Sequence, residues 1–309
     1  QTVVKRGGRI RFTRIETEVV FNSAFFEIKY EGTVHMNEAL IESGDADLES
    51  EGILELNAAG HQSGGGAGSG SVGTGGQGTG AGHGGQGGGV GLANDPESGG
   101  QPHGSVFTPL DMGSGGGPSG STGKGGSGGG SLHWKIGKLI HLNGLISVQG
   151  GDGQDAHTGG GSGGSVLIKA TNMTGHGEVN VNGGNGNQKG GGGAGGRIGI
   201  HIRHQNNYGG KFTAQGGSGG DANVDQVGDG AAGTVYKYES RRGPQYRELK
   251  YNPYLNVTAF KPDHSKLKID NGEKDVDHPA MVMEADTTFY EFDEVQVEGY
   301  SYVHFYHPE

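Results

Sequence analysis

The chain has 309 residues, of which 71 are glycine, 9 proline and none cysteine, and it carries a net charge of −11. A hydrophobic content of 30% excludes one compact core for the whole chain, and the missing Gly-X-Y period excludes collagen. The lack of cysteine excludes a disulfide framework, thiol catalysis and a Cys-based zinc site, and an acidic chain does not suit nucleic acid, which requires a basic face.

Residues 1–59 read as strand-rich. Gly7-Gly8-Arg9-Ile10-Arg11-Phe12 echoes a later segment, Gly195-Gly196-Arg197-Ile198-Gly199-Ile200. The chain is therefore expected to begin inside a repeat, and its start at Gln1 reads as a processing site or the edge of a fragment. Val19–Phe21 and Phe25–Tyr30 read as strands, and Gly52 to Gly60 as the close of a unit. Residues 60–130 form one long glycine-rich insertion, interrupted by a less glycine-dense patch at 92–110. A tract of this length without regular elements is functional or disordered. If it folds, its strands bundle beside the β-structure.

Residues 131–239 carry the clearest pattern. Gly163-Gly164-Ser165-Val166-Leu167-Ile168 opens a unit, and Glu178-Val179-Asn180-Val181-Asn182-Gly183 closes it. Similar openings stand at Gly129 and Gly195, and similar closes at Ser147 and Lys211. Gln149, Asn182 and Gln215 are 33 residues apart, within the range of stacked repeats. Each unit holds two short runs with alternating apolar residues, the mark of a strand with one buried face. One unit cannot bury that face alone, whereas stacked units can. Glycine has no Cβ, so tracts of it can approach closely in the three-residue polyproline-II helix. The expected fold is all-β: a parallel β-solenoid (β-helix) with flanking polyglycine-II strands, plus a small C-terminal β segment.

That segment, 240–309, is poor in glycine and rich in Tyr and Phe. Leu255–Phe260, Phe289–Asp293 and Val295–Glu298 alternate as strands, and Tyr300 to His307 reads as an aromatic strand, either core or an edge that pairs with a neighbour. No apolar run approaches the ~20 residues of a membrane span.

Candidate chemistry is sparse. Asp152 and Asp155 lie in Gly150-Gly151-Asp152-Gly153-Gln154-Asp155, and Asp221 ends Gly216-Gly217-Ser218-Gly219-Gly220-Asp221. Both match the calcium turn of β-rolls, but without the tandem nonapeptides that place each ion between turns. Turn chemistry is the simpler reading. His201/His204 and His304/His307 are three apart and face opposite sides of a strand, which makes poor chelators. The GxGxxG strings open no helix, and no carboxylate pair or Ser/His/Asp arrangement supports an enzyme. No cofactor is expected. Asn172 and Asn256 begin N-glycosylation triplets, with Asn172 expected in a turn between strands.

The string from Gly128 to Tyr238, with GGGSGGS-V-L-I-K-A, then V-N-V-N-G-G-N-G, then GGGAGGRI, resembles a glycine-rich repeat of large secreted and cell-surface proteins. The first copy departs from it by placing Trp134 where the others are aliphatic. The resemblance implies an extracellular or surface chain used in walls, coats, adhesion or fibres. The functional expectation is a structural rod or self-associating fibre subunit, not an enzyme. Its partners would be further copies or other matrix components, meeting at end residues such as Ile10, Phe12, Tyr300, Tyr302 and Phe305. The first rival is a module that binds glycans or a receptor by stacking Trp134, Tyr300 and Tyr302 on its ligand, and the third reading is a polysaccharide-acting β-helix enzyme.

Overall fold

The structure is a computed structural model, and it describes residues 1–12, 18–92, 95–220, 227–240, 264–272, 274, 280–282, 292–301 and 303–305. In chain order its first strands are β1 (Thr2–Val4), β2 (Arg9–Arg11), β3 (Val19–Ile28), β4 (Thr33–His35), β5 (Glu38–Leu48) and β6 (Ile53–Glu55). The glycine-rich segment holds β7 (Val90–Leu92) and β8 (Asp95–Glu97). Then follow β9 (Ser131–Ile136), β10 (Leu139–Leu142), β11 (Leu145–Ser147), β12 (Ser165–Gly175), β13 (Glu178–Asn180), β14 (Arg197–Tyr208), β15 (Lys211–Thr213) and β16 (Thr234–Glu239). The last are β17 (His264–Asp270), β18 (Ala280–Val282), β19 (Glu294–Glu298) and β20 (Val303–Phe305). Among the described residues no helix is long and apolar enough to cross a membrane.

The strands make a ten-stranded sheet, ordered β1-β3-β5-β10-β12-β14-β16-β17-β19 with β9 alongside, and a six-stranded sheet, ordered β15-β13-β11-β6-β4-β2. Alternation places the apolar residues of both sheets between them. In β5, Ala39, Ile41, Ala46 and Leu48 are buried, and in β14 Ile198, Ile200 and Ile202. Trp134, Phe26, Leu54, Ile146 and Val179 belong to the same core.

The all-β reading stands, but the expected β-solenoid does not. β9 and β10 each pair with both β5 and β12, so four parallel strands form a closed circuit. The cause is local: β5 and β12 run through unbroken, while Gly137 and Lys138 leave the line of β9 to bond the carbonyls of Ser43 and Gly44. β17 runs antiparallel to β16, and β18–β20 and β7–β8 are separate two-stranded sheets. Four sheets with unlike neighbours replace one uniform coil.

The glycine tracts pack beside the sheets with a three-residue period. The amides of Gly159 and Ser162 point to the tract at 114–117, where Gly117 O and Ser114 O accept. Those of Gly160 and Gly163 bond Gly191 O and Ala194 O, and those of Gly161 and Gly164 bond Gly151 O and Val148 O. Three neighbours in rotation are what three residues per turn demand. Residues 60–130 join this bundle. Gly126 donates to Gly159 O, and Gly88 to Gly192 O.

A strap, residues 103–112, crosses the outer face of the large sheet. Its carbonyls are held by side chains of that face: Ser131 Oγ donates to Leu110 O at 2.7 Å, and Ser165 Oγ to Asp111 O at 2.6 Å. Arg197 Nε donates to His103 O at 2.9 Å, and His201 Nε2 to Phe107 O at 2.7 Å. Glycine at 199 makes room, since a Cβ there would lie 2.8 Å from Pro109 Cδ. Val106 fills a second core with Tyr236, Leu267, Ile269, Ala280 and Val282.

Candidate assembly interface

The sheets end differently at the two ends of the stack. At the N-terminal end, β1 pairs only with Phe26–Ile28 of β3. Among the described residues no strand pairs with the outer edge of Val19–Phe25. Val20 is 61% exposed there. An open edge of unpaired N–H and C=O groups is a template for another strand. In the small sheet β2 is the edge. Its Ile10 and the adjacent Phe12 are partly buried against the core. Phe12, Phe21, Phe26 and Trp134 form a chain of edge-on rings, 5.5, 5.7 and 5.4 Å between successive centroids. This chain ties the end strands to the centre of the core. Residues 1–12 hold Lys5, Arg6, Arg9 and Arg11 and no acidic side chain.

A cleft of about 570 Å³ opens at the same end, lined by Arg11, Phe12, His35, Asn37, Glu55 and Asn57 among others. It exists because β4 passes to β5 through Met36 and Asn37 alone, where later layers insert a glycine tract.

At the other end the large sheet outgrows the small one. β15 is the last strand of the small sheet, whereas β16, β17 and β19 continue the large one, an overhang of about 14 Å at the usual strand spacing. The apolar face changes sides here. Val235 belongs to the first core and the next residue, Tyr236, to the second. Lys268 stands opposite Val235, and Lys266 opposite Lys237. With no second sheet to cover them, these positions are charged. Lys266 pairs with Glu294 at 2.6 Å, and Lys268 with Glu298 at 3.1 Å. Beyond β19 no further strand is present among the described residues, and Val295 and Val297 are exposed. Asp293 accepts from the backbone and side chain of Ser265, which holds its carboxyl below the usual range.

Of the residues expected at joints, Ile10 and Phe12 lie at the N-terminal end as described. Tyr300 is not in a strand: it is exposed in a turn with φ of 54°. Phe305 lies in the short β20 near Phe292, 6.2 Å between ring centroids, and Tyr302 lies outside the described residues. Of the aromatic strand expected over 300–307, the described residues form β20 at Val303–Phe305, and the left-handed backbone at Tyr300 keeps that residue out of it. Trp134, the candidate sugar platform, is fully buried. It occupies an inward position of β9 and offers no face to a ligand.

Asp152 accepts from the amide of Asn185 at 2.6 Å, and Asn185 Oδ1 from the amide of Ser218 at 2.8 Å. Asp155 accepts from the amide of Lys124 at 2.7 Å. These side chains staple neighbouring tracts. Asp221 lies outside the described residues, and among those described no three metal-capable side chains cluster. Asn172 is not in a turn. It is inside β12, paired to Leu139 and Gln205, next to a register shift after Ala170. Asn256 lies outside the described residues. His201 faces the strap while His204 is exposed, so the structure does not bring that pair together.

Sequence reasoning missed the buried group beneath the strap. His83 and His103 stack at 4.5 Å and 17°, beside a fully buried Arg197. The only signal was an arginine at an outward strand position among glycines.

The chain matches no protein-family model, no characterised protein and no solved structure.

Proposed function

We propose that this chain is a structural building block whose copies join end to end through the open edges of the ten-stranded sheet. The observation that carries the reading is the outer edge of Val19–Phe25, a seven-residue run with no partner strand among the described residues, whose inner edge pairs with β5 at Val19–Ser23 and Phe25. An edge of that length without a partner is a liability in a monomer and a joint in a polymer. The opposite terminus of the sheet, β19, presents exposed Val295 and Val297. A copy related by translation meets β19 with β3 running antiparallel to it, since β17 and β19 run against the rest of the sheet. Charge favours the same pairing: Lys5, Arg6, Arg9 and Arg11 lie at one end, and Asp293, Glu294 and Glu298 at the other.

The test is sedimentation and electron microscopy of the purified chain over a range of concentration and salt. Oligomers that lengthen with concentration, shorten with salt and are lost in Val20→Lys support the proposal. A chain that stays monomeric up to the millimolar range overturns it.

A further inference from the structure

Two neutral histidines hold the strap down. His83 is fully buried and stacked on the strap residue His103, and the Arg197 guanidinium donates to the main-chain carbonyls of both. His83 Nδ1 donates to Gly163 O at 2.7 Å, so its Nε2 is the bare nitrogen, 3.4 Å from Ser165 Oγ. That hydroxyl already donates to the strap at Asp111 O. His103 Nε2 donates to Met112 O at 3.5 Å across the strap's own bend, and its Nδ1 is buried without a hydrogen-bond partner. Arg197 donates to His103 O, His83 O, Thr234 Oγ1 and Met281 O. Strap, glycine bundle, β14, β16 and β18 therefore meet at one point.

We propose that this point is an acid-sensitive latch: protonation of His83 or His103 releases residues 103–112 from the outer face of the large sheet and loosens β17 behind it. The charged and titratable groups around the pair are Arg197 from β14, Asp111 from the strap and His61 from the start of the glycine-rich segment. Arg197 is already cationic, so a second charge on His83 or a third on His103 meets repulsion in a site closed to water. Against it stand the carbonyl of Gly163 at His83, and the carbonyls of Met112 and Gln101 with the Asp111 charge at His103. Burial pushes both histidines down, and the Arg197 charge adds to this. A histidine that protonates more readily when released takes up a proton on opening, so acid favours the open strap. The consequence reaches the C-terminal strands because Val106 of the strap packs in one cluster with Leu267 and Ile269 of β17.

Hydrogen exchange of the full chain, read segment by segment from pH 7 to pH 4 and corrected for intrinsic rates, tests the latch. Protection of 103–112 and of β17 is expected to fall below about pH 6.5, by about tenfold per pH unit for each histidine that takes up a proton. Protection of β9 and β12 is expected to fall less over the same range, by no more than the titration of His133 in β9 brings, so the latch is read as the excess loss in 103–112 and β17 over these strands. The double variant His83→Asn/His103→Gln, which retains Arg197 and Asp111, is expected to lose that pH dependence whatever its overall stability. Equal strap protection at pH 7 and pH 4 overturns the proposal. So does an excess acid response of 103–112 that survives in the double variant, or a response in the native chain shared equally by all strands.

Discussion

Phe26 meets Trp134 edge-on, 5.4 Å between ring centroids and 77° between planes. Trp134 also donates its indole N–H to Ser43 Oγ at 3.3 Å. The ring thus joins β3, β5 and β9 at the middle of the first core with its one polar atom satisfied. Trp134→Ala is expected to cost about 3–5 kcal/mol, as removal of a large buried ring does. Trp134→Phe is expected to cost less, because most of the contact remains. Urea unfolding followed by circular dichroism checks both, since Trp134 is the sole tryptophan and its fluorescence is lost in either variant.

Glycine in the tracts is required by packing. A Cβ on Gly163 would run into the carbonyl of Val181 and the amide of Gly196, both main chain and neither able to move alone. Gly163→Ala is therefore expected to destabilise by several times the ~1 kcal/mol typical of point mutants, and to lower the thermal midpoint sharply. Gly137 is the control. Its nearest neighbour to a Cβ is 3.6 Å away and its φ is negative. Gly137→Ala is expected to be neutral or stabilising by about 0.4–1 kcal/mol. Equal losses for the two would mean that the tracts are not close-packed.

The amide ladder gives a third expectation. Asn57 Oδ1 accepts both Ser147 Oγ at 2.7 Å and the amide of Gln149 at 2.8 Å. Asn57→Ala leaves two donors without this acceptor and is expected to cost about 1–3 kcal/mol. Asp152 makes the equivalent bond one tract away, to the amide of Asn185. Asp152→Asn keeps an acceptor oxygen, so a change of less than about 0.5 kcal/mol is expected. The melting temperature of the native chain is expected not to rise with added calcium. A calcium-dependent rise that disappears in Asp152→Asn would contradict the structural role of this carboxylate.

Local pattern made much of this legible, and tertiary closure was hidden. The alternation in Val179-Asn180-Val181 marks β13, and the 33-residue spacing of Asn182 and Gln215 marks their amide-to-amide contact at 2.7 Å. The same spacing suggested uniform coils, because a period along the chain does not specify which strands close on one another. The break at Gly137 and Lys138 depends on the Ser43 and Gly44 carbonyls of another strand, and no short window of sequence contains both pairs. The change of buried face after Val235 was likewise invisible. Lys266 and Lys268 look like an ordinary solvated stripe until the small sheet is seen to stop at β15. Of the end residues, Ile10 and Phe12 echo Ile198 and Ile200 in sequence, but β2 stands in the small sheet and β14 in the large one, so the echo did not place them. The open edge of β3 was not readable either, because it follows from the shortness of β1.

His133 supplies a pH-dependent expectation separate from the strap. It faces outward from β9, between Leu40 and Leu167 in register, with Nε2 buried and unpartnered. Burial, with the Lys135 and Lys169 charges beside it, lowers its pKa to about 4. The folded value lies below the ~6.5 of an unfolded histidine, so the stability that neutral His133 confers is fully present above about pH 6.5. It is lost progressively as pH falls toward 4. Part of the site is open to water, which screens the effect. Histidine-selective NMR is expected to show this ring titrating near pH 4. Lys135→Met removes one repelling charge and is expected to raise the midpoint. His133→Asn is expected to flatten the pH dependence of global stability between pH 6.5 and 4, while leaving acid exchange of the strap at 103–112 as it is in the native chain. A midpoint near 6.5 for His133 would mean that the ring turns out to solvent instead of lying between its leucines.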